Sequence, residues 1–270
     1  MKVIILSDNI ASEQLKQEWG LGIFIEYEGK NILLDTGASK LYLDNAKKLD
    51  IDIRKVDYGV LSHAHYDHAN GMKSFFHENK EAKFYLRAGS GENCYIKFGI
   101  FSRYIGIRKG TLETYKDRIL FVDGDYELIP GVTLIPHKTS NLAMIGKKNR
   151  MYIKKEGKWY PDDFSHEQSL VFETEKGLVI LNSCCHTGAD MIIREVAKTF
   201  NNKHIYAIIG GFHLYNASHE EVKALANRIK DTGIEKVYTG HCTGEKSYNI
   251  LKEQLGEKLE QFKVGLTIEM

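Results

Sequence analysis

Proline is scarce, with 3 in 270 residues, and no Pro/Ser-rich linker or low-complexity block interrupts the chain. A single compact domain over residues 1–270 is therefore expected. Cysteine is scarce too: there are 4, Cys184 and Cys185 being adjacent, and they lack the spacing of a disulfide framework. That pattern fits a reducing, cytoplasmic setting. No charge sign dominates, since 37 Lys and Arg stand against 36 Asp and Glu, a net charge of +1. The chain thus lacks a global attraction to nucleic acid or to a membrane surface. Long apolar runs are missing as well: none approaches the roughly 18 residues of a membrane span. The first apolar run, Val3 to Leu6, is too short for a signal peptide and reads as a strand.

Histidine, by contrast, is concentrated. Ser62-His63-Ala64-His65-Tyr66-Asp67-His68 places three imidazoles and a carboxylate in six positions. The stretch follows the apolar run Tyr58 to Leu61, read as a buried strand, and precedes a helix pattern over 70–79. Imidazole and carboxylate suit zinc first, with iron, manganese and nickel also compatible. On an extended segment His63 and His65 point the same way and can grip one ion. Asp67 and His68 follow the turn and could hold a second, giving the paired-ion arrangement of hydrolytic sites.

Along the chain, residues 22–27 and 31–34 flank Glu28-Gly29-Lys30 and predict a hairpin that ends at Asp35. Residues 39–49 read as a helix capped by Ser39. Segment 88–118 interleaves glycine, aromatic and basic residues and reads as an irregular insertion. It is either a plain surface excursion or a lid that offers cations to an anionic substrate. Arg103, Tyr104 and Arg108 are its candidate substrate-binding residues. Short strands are expected at 118–122, 126–129, 132–135 and 151–153, and a charged turn at 154–158. A second hairpin spans 169–173 and 178–181. Three further strand-to-helix loops carry His186, His213 and His241, with helices expected at 189–200, 218–230 and 246–262. A histidine in one Gly-flanked loop means little. Four such loops matter, because the carboxyl ends of parallel strands share one edge of a sheet. His137 is lone and is read as a surface or pocket-rim residue.

The His-x-His-x-Asp-His stretch resembles the signature of the metallo-β-lactamase superfamily. Cys184-Cys185-His186-Thr187-Gly188, Gly210-Gly211-Phe212-His213-Leu214 and Gly240-His241-Cys242-Thr243-Gly244 resemble one branch of it, which includes a pterin synthase of the methanopterin pathway. The resemblance implies an α/β fold, an αββα four-layer sandwich of the metallo-β-lactamase type. It also implies two divalent metal ions, zinc first, with Mn, Fe or Mg also compatible. His63, His65 and His186 would hold one ion, and Asp67, His68 and His241 the other. His166 competes with His186, and Cys184 stands roughly where many relatives carry a bridging Asp. Asp35 is either a turn cap or a carboxylate orienting a metal-bound histidine. Asp67 and His213 are the candidate catalytic groups, His213 as a proton or oxyanion donor.

The main functional expectation is a metal-dependent hydrolase acting on a small, phosphate-containing anion through a metal-activated water. The alternative is a transferase joining a pterin pyrophosphate to a ribofuranosyl-aminobenzene phosphate, with release of pyrophosphate. A non-catalytic metal sensor is the third reading. Neither nucleic acid nor a membrane is an expected partner, and the ligand set does not separate these chemistries or define the oligomeric state.

Overall fold

The computed structural model describes residues 1–270, which divide into two compact units. The first comprises 1–123, 140–167 and 264–269; the second comprises 124–139, 168–263 and 270.

A seven-stranded sheet forms the first unit's frame, in the order Thr267–Glu269, Lys2–Ser7, Gly22–Tyr27, Lys30–Leu34, Tyr58–Val60, Lys83–Arg87, Ile119–Val122. The expected hairpin is present, with Glu28 at φ 47° and Gly29 at φ 73° as its two-residue loop. Paired left-handed residues match the twist of the flanking strands. From Lys30–Leu34 onward the strands run parallel, so their carboxyl ends lie along one edge. Leu33, Tyr42, Phe75 and Phe84 belong to this unit's buried core.

Part of the 88–118 segment is regular. Cys94–Phe98 and Phe101–Tyr104 form a hairpin that pairs with Met151–Lys155, which in turn pairs with Lys158–Pro161. The expected turn at 154–158 is therefore the bend of a second hairpin, whose Lys154, Lys155, Lys158 and Tyr160 are exposed. A helix at Leu142–Lys148 was not expected either; its Gly146 interrupts the pattern. A Cβ there would stand 2.0 Å from the Asp162 carbonyl oxygen, so close packing requires glycine. The N-cap of helix Leu41–Lys48 is Lys40 rather than Ser39, although the Ser39 hydroxyl accepts from Leu41 N–H at 3.1 Å.

In the second unit another seven-stranded sheet runs Leu259–Gln261, Lys236–Thr239, Ile205–Ile209, Gly177–Leu181, Gln168–Thr174, Val132–Pro136, Tyr126–Ile129. Its first four strands are parallel. Helix Ala189–Thr199 buries Ala189, Ile192, Ile193 and Val196, one apolar stripe at helical spacing. Helix His219–Lys230 starts with a reciprocal capping box between Ser218 and Glu221. The third helix, expected to reach residue 262, stops at Leu255. Gly256 adopts φ 58°, and residues 259–261 become the edge strand. No helix is long and apolar enough to cross a membrane.

Candidate metal centre

In the first unit the His-rich loop leaves the carboxyl end of strand Tyr58–Val60 and enters a short helix at Tyr66–Ala69. Asp35, fully buried at φ 61°, organises it from the neighbouring strand end. One carboxylate oxygen accepts from Ser62 N–H at 2.7 Å. The other accepts from the Ser62 hydroxyl at 2.6 Å and bonds His68 Nδ1 at 2.8 Å. A carboxylate only accepts, so the Nδ1 proton lies on His68 and the Nε2 lone pair is left for a ligand. The Ser62 hydroxyl hydrogen is committed to its bond with Asp35. Its 2.8 Å contact with His63 Nδ1 therefore runs the other way, His63 Nδ1–H donating to the oxygen. This sets the His63 tautomer with its lone pair on Nε2. Two imidazoles are thus oriented by one buried acid, directly and through a hydroxyl.

The loop's donors are close. The His63 ring lies 4.6 Å from that of His65 and 4.1 Å from that of His68. Asp67 Oδ2 is 3.9 Å from His68 Nε2. The far side of the loop pairs with the 88–118 segment: Tyr66 N–H donates to Ile105 O at 2.8 Å and Ile107 N–H to Ala64 O at 3.1 Å.

His65 belongs to a second buried group, with Cys94, Asp162 and His166, whose donor atoms lie within 4.8 Å of one another. Both ring nitrogens of His166 are engaged. Nδ1 accepts from Ala64 N–H at 3.2 Å, so the proton is on Nε2, 3.1 Å from Asp162 Oδ2. Burial favours the neutral Asp162 acid. Attraction to His166 and His65 and the Phe164 N–H bond outweigh it and hold the carboxyl below the usual range. Burial also pushes the Cys94 thiol up. Cys94, Asp162 and the role of Ser62 were missed from the sequence. Cys94 and Asp162 come from distant segments, and no spacing joins them.

Of the proposed substrate-binding residues, Arg103 and Arg108 are exposed and Tyr104 is half-buried. Tyr104 donates its hydroxyl proton to Ile107 O, and its ring packs edge-on against Tyr95 at 5.1 Å. Burial raises its phenol pKa, so the hydroxyl stays protonated.

In the second unit three loops at parallel strand ends carry the remaining candidates. Asn182 ties the first, accepting from Cys185 N–H at 2.9 Å. Gly211 N–H donates to Ser183 O at 2.9 Å, joining the first loop to the second. Phe212 N–H donates to the Thr243 hydroxyl oxygen at 2.9 Å, joining the second to the third. Each loop holds one non-glycine residue in the left-handed region: Cys185 at φ 45°, His213 at 49° and His241 at 48°. Such backbone strain costs on the order of 1 kcal/mol per residue and gathers at functional loops.

The His186 and His213 rings lie 4.6 Å apart. Donor atoms of Cys184, His186 and His213 fall within 4.8 Å of one another, as do those of Cys184, His241 and Cys242. Cys242 was another residue missed; it adjoins His241, but only the tertiary fold brings it to Cys184. Imidazole, carboxylate and thiol at these separations are the donor types that bind first-row divalent metals, so in each unit the residues present fit a metal.

His137, read as a surface or rim residue, has a buried side chain, and its Nδ1 lies 3.3 Å from Glu195 Oε2. Burial raises the Glu195 pKa, but hydrogen bonds from His137 and Thr139, the His137 charge and the Lys138 N–H lower it more, for a net depression. A depressed carboxyl contributes stability above its ordinary pKa, about 4.5, and loses it as pH falls through that value to the folded-state value. Glu195→Gln should therefore show a shallower loss of stability below about pH 4.5 in urea titrations across pH, with little change near neutrality. An unchanged acid limb would remove Glu195 from the account.

Residues 21–142 match the model of the metallo-β-lactamase superfamily, whose signature the His-rich loop carries. The chain is thus similar to that superfamily over its first unit's His-rich region and, as a whole, to the proteins that follow. It is 29% identical to the 7,8-dihydropterin-6-methyl-4-(β-D-ribofuranosyl)-aminobenzene-5′-phosphate synthase of Methanocaldococcus jannaschii, over 100% of this chain and 96% of that one. Among solved structures it is similar to a metal-dependent hydrolase of the β-lactamase superfamily, with a TM-score of 0.87, 29% identity, and 100% and 99% of the two chains covered. A diphosphatase of the PhnP family is similar in fold alone, with a TM-score of 0.55 at 12% identity and 100% and 97% covered. The expected α/β fold of the metallo-β-lactamase type is thus the observed one, and the relatives support an enzyme.

Proposed function

We propose that this protein is a metal-dependent transferase that joins a pterin pyrophosphate to a ribofuranosyl-aminobenzene 5′-phosphate and releases pyrophosphate. This reverses the order of the two enzymatic readings drawn from the sequence. The observation that carries it is the end-to-end likeness to the synthase, 29% identity across 100% of this chain. The geometry supports the same reading through the buried imidazoles whose tautomers are set for metal binding.

In this proposal the metal ligands of the first unit are His63, His65, Asp67 and His68, and those of the second unit are His186 and His241. A divalent ion bound there supplies Lewis-acid stabilisation of charge on the leaving pyrophosphate. Asp35 and Ser62 hold the His68 and His63 rings in the ligating tautomer. The pair of Asp162 and His166 holds His65, whose Nε2 is 4.0 Å from Asp162 Oδ2, and leaves His166 as support rather than ligand. Asp67 serves both as a ligand and in orienting the reacting group. His213 is placed beside His186 as a proton or oxyanion donor. Arg103 and Arg108 attract the phosphates of a small anionic substrate, and Tyr104 offers its ring, its hydroxyl being committed to Ile107. All 270 residues act as one catalytic domain, with neither nucleic acid nor membrane as partner.

A second reading, hydrolysis of a phosphoester, is favoured by the likeness to the metal-dependent hydrolase. A pyrophosphate-release assay separates the two. The transferase predicts release that requires both pterin donor and arylamine acceptor. No release with both present, together with turnover of a phosphodiester, would leave the hydrolase.

A further inference from the structure

We propose that Cys184 and Cys242, with His241, bind zinc as two thiolates and an imidazole. All three residues lie in the second unit and are buried, at 3%, 2% and 3% exposure, and their donor atoms lie within 4.8 Å of one another. The two sulfurs are 3.4 Å apart. That is far beyond the roughly 2.0 Å of a disulfide. It is close to the separation of about 3.8 Å between two sulfurs on tetrahedral zinc with bonds of about 2.3 Å.

The surroundings are shaped for a sulfur at this point. A Cβ on Gly211 would stand 2.6 Å from Cys242 Sγ and 3.0 Å from Ser183 O, so only glycine leaves the space. The His213 N–H donates to Cys242 Sγ at 3.2 Å, an outer contact that orients a ligating sulfur. His241, held at φ 48°, adjoins Cys242 in the chain and puts imidazole and sulfur on one turn. Two thiolates select zinc over magnesium or manganese, which prefer oxygen. They also neutralise the ion's two positive charges where burial makes uncompensated charge costly. On binding, each thiol gives one proton to solvent, and no electron is transferred. The site shares His241 with the metal ligands proposed above and to that extent rests on that reading, but its test reads sulfur coordination and so fails or stands separately from the choice of transferase or hydrolase.

X-ray absorption at the zinc edge tests it on the full-length protein, purified under reductant and loaded with zinc. The expected spectrum contains sulfur at about 2.3 Å as well as nitrogen and oxygen at about 2.0–2.1 Å. Nitrogen and oxygen alone would overturn the proposal, whatever the activity. Cobalt loading adds a second readout, a sulfur-to-cobalt charge-transfer band in the near ultraviolet. Cys184→Ser and Cys242→Ser should each weaken the band, and the double variant should lose it. Cys185→Ser should keep it, because that thiol bonds Asn182 O at 3.4 Å. A band untouched by Cys242→Ser would remove Cys242 from the site. The absorption measurement needs no variant, so a mutant that fails to fold does not shield the proposal.

Discussion

Asp35→Asn lowers the affinity for divalent metal by about 10- to 100-fold, the usual cost of removing a carboxylate behind a ligating histidine. The asparagine oxygen can take the place of Oδ2, accepting from the Ser62 hydroxyl and His68 Nδ1. The amide nitrogen then falls where Oδ1 stood, 2.7 Å from Ser62 N–H, and donor faces donor. Asparagine tolerates the left-handed backbone at φ 61°, so the substitution changes hydrogen bonding rather than strain. A buried N–H left without an acceptor costs about 1–3 kcal/mol, and the weakened partner bonds add to this. Stability in urea should therefore fall by about 3 kcal/mol. Competition against a chromogenic chelator reads the affinity. Wild-type affinity in Asp35→Asn would mean that His63 and His68 reach their ligating geometry without the acid.

The second large effect is steric. A Cβ on Gly210 would lie 1.8 Å from the Asn182 carbonyl oxygen. Carbon and oxygen across strands approach to about 3.3–3.6 Å, so Gly210→Ala must push apart the ends of strands Ile205–Ile209 and Gly177–Leu181. Gly210 is also held on its other side: its N–H donates to Tyr238 O at 3.0 Å, and its carbonyl accepts from the Thr239 hydroxyl at 2.7 Å. The expected cost is above about 3 kcal/mol, the upper end of overpacking. In a thermal melt that is a drop of about 10 °C. Metal content of the purified variant should fall too, because the same displacement moves the loops bearing His186 and His213. A melt within about 2 °C of wild type would show that the strands part more easily than this packing implies.

The regions that deceived the sequence reading share a cause. At 142–148 a helix is hidden by Gly146, kept because the Asp162 backbone passes against it. At 94–104 and 151–161 the strands pair locally as two hairpins, but their exposed faces carry aromatic and charged residues, Phe98 and Phe101 among them, and the pairing of Cys94–Phe98 with Met151–Lys155 is remote. The Gly146–Asp162 approach and the joining of the two hairpins are long-range contacts, and local pattern carries no trace of them.

What the sequence by itself determined is the set of βα loops and the ligand types they carry. His63, His65, Asp67 and His68 lie in one stretch, and His186, His213 and His241 each follow an apolar run that is a parallel strand. Periodicity and turn residues are local properties, so they survive in one dimension. Only the tertiary structure decided which atoms of those residues face a ligand. The Asp35–Ser62–His63 chain assigns a tautomer through hydrogen bonds that span 27 residues. The contact of Cys184 with Cys242 closes 58 positions. Asp162 reaches His65 from a distant segment. Proton position, ring orientation and sulfur pairing depend on distances of a few tenths of an ångström, and folding alone sets those.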